Sequence, residues 1–294
     1  MALFTKRTTA VRFYLEGHHS TIPLVEWFKQ AFQHRGIDYQ GVSVKYFKQA
    51  RPGELIMVSG TNEAAIRIMR ECETKQIPFF HIDKGYIRNL KGLPRRFPMF
   101  YKFAFNHFHP TSYFQNKPKP PDRWEALGIE FRHLSQGDYV LFAGSSQRYC
   151  TLFDLGDASE YAQQIFRKIK KLTQHPILYR PKPSWKAARP IDGTVFSNLD
   201  APLFIELEKS FCLVTHGSGA AIEAILSGIP VIMLGDGIAK PMSGTSLKNL
   251  IAPALPSDEK RWQWCCDLAY CQWSHEEIVT GQFIDFFNQE FEAY

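Results

Sequence analysis

Apolar residues recur along this chain with two alternating periods. TAVRFYLEG (9–17), YQGVSVKYF (39–47), ELIMVSG (54–60) and IPFFHID (77–83) are short, apolar and rich in β-branched or aromatic residues, so they predict strands. Between them, HSTIPLVEWFKQAFQHRG (19–36) and NEAAIRIMRECETKQ (62–76) repeat apolar positions every three to four residues and predict helices, the first ending at Gly36 and the second capped by Thr61 or Asn62. A second series begins at DYVLFAGSSQ (138–147). It runs through the helix SEYAQQIFRKIKKLTQ, the strand PILYRPKP, TVFSN, the helix APLFIELEKS, the strand FCLVTHG, the helix SGAAIEAILSG and the strand IPVIML. Such alternation predicts parallel strands joined by crossover helices.

Two further segments break the pattern. FPMFYKFAFNHFHPTSYF (97–114) concentrates aromatic side chains, and Phe97, Met99, Tyr101, Phe103 and Phe105 share one parity, which on a strand makes a single core-facing side. The stretch from residue 261 to 291 reads as helical, with Trp262, Cys266, Ala269 and Trp273 at spacings of three and four. The fold class expected is α/β: two Rossmann-like domains facing a cleft, joined through the Pro- and Lys-rich linker near 115–137, with C-terminal helices crossing back to the first domain. The expected divisions are 1–120, 121–257 and 258–294.

A length of 294 residues suits two domains, and 45% hydrophobic with 22% charged content is ordinary for a globular chain. No apolar run reaches the ~20 residues that span a bilayer, and no signal peptide is evident, so a cytoplasmic protein without integral membrane association is expected. The six cysteines lack metal-site spacing and read as small buried thiols in a reducing compartment. The formal charge of +6 is concentrated in RNLKGLPRRFP (88–98), NKPKPPDR (116–123) and RKIKK (167–171). That charge suits an anionic partner, although RKIKK also fits a solvated helix face.

In an open parallel sheet, ligands bind beyond the carboxyl ends of the strands, where the strand order reverses. In the second half those ends carry GSSQR (144–148), RPKP (180–183), HGSG (216–219) and GDG (235–237). At HGSG, Gly217 and Gly219 allow close backbone approach and Ser218 can cap the new helix, whose free N–H groups favour a diphosphate. Glu223, one turn further, suits the two hydroxyls of a ribose. Arg180 and Lys182 would add counter-charge, and Ser145, Ser146 and Arg148 would close the other side.

The segment HGSGAAIEAILSGIPVI resembles the donor-binding element of GT-B glycosyltransferases and related nucleotide-sugar enzymes. The resemblance implies that His216, Gly217, Ser218, Gly219 and Ala220 face the nucleotide diphosphate and Glu223 the ribose, while Gly228 and Pro230 shape the return to the sheet. NHFHPTSYF, DRWEALGIEF and LAYCQWSHEEIVTG also look like a group of phage-encoded and bacterial proteins, some of them associated with polysaccharide genes. The implied activity is a metal-independent glycosyltransferase, with no permanently bound cofactor and a nucleotide sugar, taken as a UDP-sugar, as co-substrate. The general base is sought in the first half, at Glu16, His18 and His19 in EGHHS or at Asp83. Arg88, Lys91, Arg95, Arg96, His107 and His109 are the acceptor-binding candidates. Basic residues beside aromatics suit a nucleic acid, and together with the phage-like resemblance and the lack of a membrane element they favour a hydroxymethylated pyrimidine in double-stranded phage DNA as acceptor. A surface-polysaccharide or lipid-linked-glycan acceptor is the alternative, with Trp262, Trp264 and Trp273 as its membrane contact. A non-catalytic nucleotide or nucleic-acid binding module is the third reading.

Overall fold

The computed structural model describes residues 3–4, 10–16, 22–87, 100–115, 117–134 and 137–292. It divides into two compact units, residues 1–123 with 266–294, and residues 124–265.

The first unit contains β1 (Ala10–Leu15), α1 (Ile22–His34), β2 (Tyr39–Ser43), β3 (Glu54–Ser59), α2 (Glu63–Lys75), β4 (Phe79–Lys84) and β5 (Phe100–Phe105). Its sheet, closed by β11 (Gln272–Ser274), has the order β11-β5-β4-β3-β1-β2. β2, β1, β3 and β4 run parallel, and β5 and β11 are antiparallel additions at one edge. The Asn62 side chain accepts from Ala65 N, which starts α2, and Gln76 ends it in the left-handed region at φ 55°. On α1, Leu24, Phe28, Ala31 and Phe32 form one buried stripe. The rings of Phe28 and Phe32 meet Phe283, and Phe28 also meets Phe103.

Tyr101 and Phe103 are buried as their parity predicted. The opposite face of β5 is buried too, and carries Lys102 and Ala104. The C-terminal stretch is not helical throughout. α8 (Asp258–Ala269) ends before β11, where Trp273 pairs with Tyr101 across an antiparallel ladder. A reciprocal cap between Ser274 and Glu277 then starts α9 (His275–Val279), followed by α10 (Gln282–Glu292). Trp273 therefore belongs to no helical stripe. Trp264 and Trp273 are 0% and 2% exposed, so neither can touch a membrane, whereas Trp262 is 40% exposed.

The Pro- and Lys-rich stretch is docked rather than loose. Lys119 is buried, its N–H donates to Asp267 and its ammonium pairs with Glu290 at 2.7 Å. Arg123, at the start of α3 (Asp122–Ala126), donates to Gln272 O and pairs with Glu277. Their charge is matched internally, so this cluster does not wait for an anionic ligand.

The second unit contains β6 (Tyr139–Ala143), α4 (Gln147–Leu152), α5 (Ala158–Lys170), β7 (Ile177–Arg180), β8 (Val195–Phe196), α6 (Leu203–Leu207), β9 (Ser210–Thr215), α7 (Ala220–Leu226), β10 (Val231–Met233) and the first part of α8. Its sheet is parallel throughout, in the order β10-β9-β6-β7-β8. β6 and β9 are its buried centre, and Ala162, Ile165 and Ile169 of α5 pack on Val140, Phe142 and Val214.

Candidate functional site

In the second unit the chain first moves from β6 to β7 and β8 on one side, then returns to place β9 and β10 on the other. The order therefore reverses between β6 and β9. Gly144, Ser145 and Ser146 follow β6, and His216, Gly217, Ser218 and Gly219 follow β9, so both loops leave the sheet at its switch point.

The β9 loop is shaped from within. The Ser218 N–H donates to Thr215 Oγ1 at 3.1 Å, and its hydroxyl accepts from Ala220 N at 3.2 Å. A Cβ at residue 217 would lie 1.9 Å from Tyr149 Oη and 2.8 Å from Asp236 O. Glycine is needed there to admit a protein side chain, not a ligand. Gly219 is the opposite case, since a Cβ there would meet nothing within 4 Å. Ser145 is half-buried, Ser146 is buried and stands before α4, and Arg148 is exposed in the first turn of α4. Ala220 opens α7, and Glu223 lies exposed in its first turn.

His216 sits among Tyr149, Phe153 and Tyr161, with ring centroids at 5.8, 6.3 and 5.3 Å. Its Nδ1 lies 2.5 Å from Tyr161 Oη. Burial pushes the Tyr161 hydroxyl up to about 12 and lowers the His216 pKa. The phenol accordingly donates to Nδ1, which leaves a neutral imidazole with its proton on Nε2. At neutral pH His216 offers a hydrogen-bond donor rather than a positive charge. Sequence pattern alone gave no sign of its two tyrosine neighbours, which come from α4 and α5.

Arg180 does not serve an open anion. Its guanidinium is buried and donates to Ser197 Oγ, Asn198 O, Ala201 O and Glu206 Oε2, the last at 3.0 Å. Glu206 is its counter-charge, and nothing in the sequence pattern around residue 206 signals that pairing. Lys182 is exposed beyond β7.

In the first unit the corresponding reversal lies between β1 and β3. Glu16 follows β1, and its Oε2 would stand 3.2 Å from a Cβ added to Gly60, the residue after β3, which has φ +94°. His81 on β4 is fully buried, with Nε2 3.0 Å from Gly60 O and its ring 4.6 Å from that of Phe108. Asp83, half-buried at the end of β4, pairs in register with Lys102 of β5 and accepts from Lys84 N. Lys102 is buried, donates to Phe108 O at 2.7 Å and lies 3.9 Å over the Phe108 ring. Burial, then the Lys102 charge, holds His81 and His109 far below the ordinary histidine pKa, so both are neutral.

Glu16, His81, Asp83 and Lys102 thus gather around the ends of β1, β3 and β4. His81 and Lys102 were missed because each sits within an apolar run. His109 is buried beside Tyr86 and His107 accepts from His109 N, so the first is not available at a surface. His18, His19, Arg88, Lys91, Arg95 and Arg96 lie outside the described residues. Among the described residues, no group of three or more His, Cys, Asp and Glu side chains could hold a metal ion, and no helix is long and apolar enough to cross a membrane.

No family model and no curated protein matches the chain. Solved structures do. The β-Kdo 2,4 transferase KpsC of Thermosulfurimonas dismutans aligns over 96% of this chain and 98% of its own, with a TM-score of 0.58 at 12% identity. The β-Kdo 2,7 transferase KpsC of the same organism aligns over 94% and 99%, with a TM-score of 0.53 at 10% identity. A UDP-GlcNAc 2-epimerase of Methanocaldococcus jannaschii, solved with UDP-GlcNAc and UDP, covers 82% and 91% at 10% identity, but its TM-score of 0.31 carries no weight. The resemblance to GT-B nucleotide-sugar glycosyltransferases read from HGSGAAIEAILSGIPVI therefore extends to the fold, which over nearly the whole chain is similar to that of two β-Kdo transferases.

Proposed function

We propose that this chain is a glycosyltransferase that moves a sugar from a nucleotide-sugar donor to a hydroxyl of a surface glycan. The observation that carries the reading is the meeting of the β6 and β9 loops at the switch point of a fully parallel sheet, with open space at Gly219. The donor phosphates fit against Ser145, Ser146, Ser218 and the Gly219 backbone, since the Ala220, Ala221 and Ile222 N–H groups already donate within the turn, and Glu223 fits the ribose hydroxyls. Arg148 and Lys182 remain the candidate counter-charges, and neutral His216 is a donor to uncharged oxygen. Arg180 has no part in this scheme. Leaving-group charge is stabilised by the loop hydroxyls and these cations.

Glu16 and Asp83 are the candidate bases for the acceptor hydroxyl, because each is a carboxylate at the carboxyl edge of the first sheet. A glycan acceptor is supported by the fold likeness to two Kdo transferases. A modified base in DNA has no such support, and the segment 88–98 that motivated it is not among the described residues.

The test is turnover with a panel of nucleotide sugars, using oligosaccharide acceptors and, separately, duplex DNA with ordinary or hydroxymethylated bases. Transfer to an oligosaccharide is expected; transfer to DNA alone would reverse the acceptor assignment. In binding assays Glu223→Ala and Gly219→Val should each weaken the donor nucleotide by roughly tenfold, the effect of about 1.4 kcal/mol. Wild-type affinity in both variants would remove the donor site from this loop.

A further inference from the structure

At the opposite, amino edge of the second sheet lies a hollow of about 420 Å³ lined by Leu172, His175, Pro176, Phe211, Leu250 and Ile251, among others. Pro176 precedes β7 and Phe211 is the second residue of β9, so the hollow is separated by the length of the strands from the donor loops. Leu172, Pro176, Phe211, Leu250 and Ile251 make its lining mostly apolar beside Thr173, Gln174 and His175, whose ring stacks on Phe211 at 4.2 Å. Ile251 is 74% exposed and adjoins the apolar side chains of this lining, which makes it the projecting tip of an apolar patch rather than an isolated exposed residue.

The rim is cationic. Lys168 lies in the last turn of α5, and Lys171, the residue that ends that helix, stands directly before Leu172 of the lining. Lys248 is exposed on the short helical turn Leu247–Leu250, whose Leu247 and Leu250 pack with Ile169 and Leu172. Lys168, Lys170, Lys171 and Arg167 are all exposed. No Asp or Glu occurs between Glu160 and Asp192, nor between Asp236 and Asp258, and these are the two stretches that frame the hollow. Two acids adjoin these strand ends: Asp138, whose carbonyl accepts from His175 Nδ1, and Glu208, which is followed directly by Lys209.

A solvated helix face explains exposed lysines, but not an exposed isoleucine at the mouth of an apolar hollow among them. An apolar tip within a ring of lysines is the arrangement that suits an interface with an anionic bilayer: the tip enters the acyl boundary while the ammonium groups meet lipid phosphates. We propose that this edge of the second unit docks the protein onto membrane surfaces containing anionic lipid. Docking here leaves the carboxyl-edge loops uncovered, so the contact is compatible with donor binding and independent of it.

The experiment uses the full chain with vesicles of phosphatidylcholine alone or with 30 mol% phosphatidylglycerol. Co-sedimentation is expected with the anionic vesicles only, and the variant Lys168→Gln/Lys171→Gln/Lys248→Gln should lower partitioning by roughly a hundredfold, at about fivefold for each lysine near the surface. Ile251→Trp should show a blue-shifted emission component on adding anionic vesicles, which charge attraction elsewhere would not produce. Thermal melts and donor-nucleotide binding of these variants should match the wild type, because every altered side chain is exposed and remote from the donor loops. Equal partitioning of the triple variant and the wild type, or no emission change at residue 251, would overturn the proposal. So would loss of duplex-DNA binding in the triple variant with vesicle binding intact, since the patch would then serve nucleic acid.

Discussion

Replacing Gly217 by alanine should damage the second unit through one identifiable contact. The added methyl would stand 1.9 Å from Tyr149 Oη, 2.8 Å from Asp236 O and 2.9 Å from Tyr149 Cζ. Carbon and oxygen atoms at rest are roughly 3.5 Å apart, so the phenol must withdraw by about 1.5 Å. It has little room to do so, with the Phe153 ring 4.5 Å away on one side and His216 at 5.8 Å on another. Overpacking of this kind costs about 1–3 kcal/mol. Tyr149→Phe removes the hydroxyl, whose contact with Asp236 O is long at 3.5 Å, and serves as the single-variant reference. In the double variant the closest clash is removed but those with Cζ and Asp236 O persist, so about 1 kcal/mol should be recovered relative to the sum of the single changes. Urea denaturation with an unchanged slope gives the comparison. Gly219→Ala is the control and should stay within about 0.5 kcal/mol of wild type, since its methyl meets nothing. A wild-type midpoint for Gly217→Ala, or a double variant no better than additive, would refute the argument.

Glu206→Ala should destabilise the chain by about 3–5 kcal/mol, because it strands the buried Arg180 charge, and Glu206→Gln should cost less by keeping an acceptor for Ser197; equal midpoints for the two variants would contradict that reading. The depressed pKa of His81 means that the native state binds fewer protons than the unfolded chain below about pH 6.5. Its contribution to stability is therefore complete above that pH and is lost as pH falls, by about 1.3 kcal/mol per such histidine between pH 7 and 5.5. His81→Gln should remove that share of the pH dependence, and an unchanged pH slope would show that His81 is protonated in the native state. Lys119→Met should lower the urea midpoint through the loss of its buried pair with Glu290, while Lys117→Met, at an exposed position in the same stretch, should leave it unmoved.

The alternating periods were enough to locate both strand–helix series, and the Asn62 cap was readable because capping depends on a residue and its near neighbours. The turn HGSG was readable for the same reason. The assignment of charge was not. Arg180 and Lys182 look equivalent in sequence, and only the fold shows that one is buried against Glu206 while the other is exposed. Lys119 and Arg123 look like a solvated basic linker until Glu290 and Glu277, more than 150 residues later, are seen beside them. The apolar spacing of the tail fits one helical run as far as Trp273, yet β5 offers an open edge that turns Gln272–Ser274 into a strand.

The sequence by itself determined the local matters: the period of each segment, the caps, the small-residue turn after β9 and the acid-free stretches around RKIKK. Tertiary structure alone decided which glycine opens onto free space and which onto a tyrosine, which cations are paired and buried within the fold, and which histidines are neutral. The physical reason is that backbone propensity acts between residues a few positions apart, whereas desolvation and charge pairing are set by neighbours that only folding brings together.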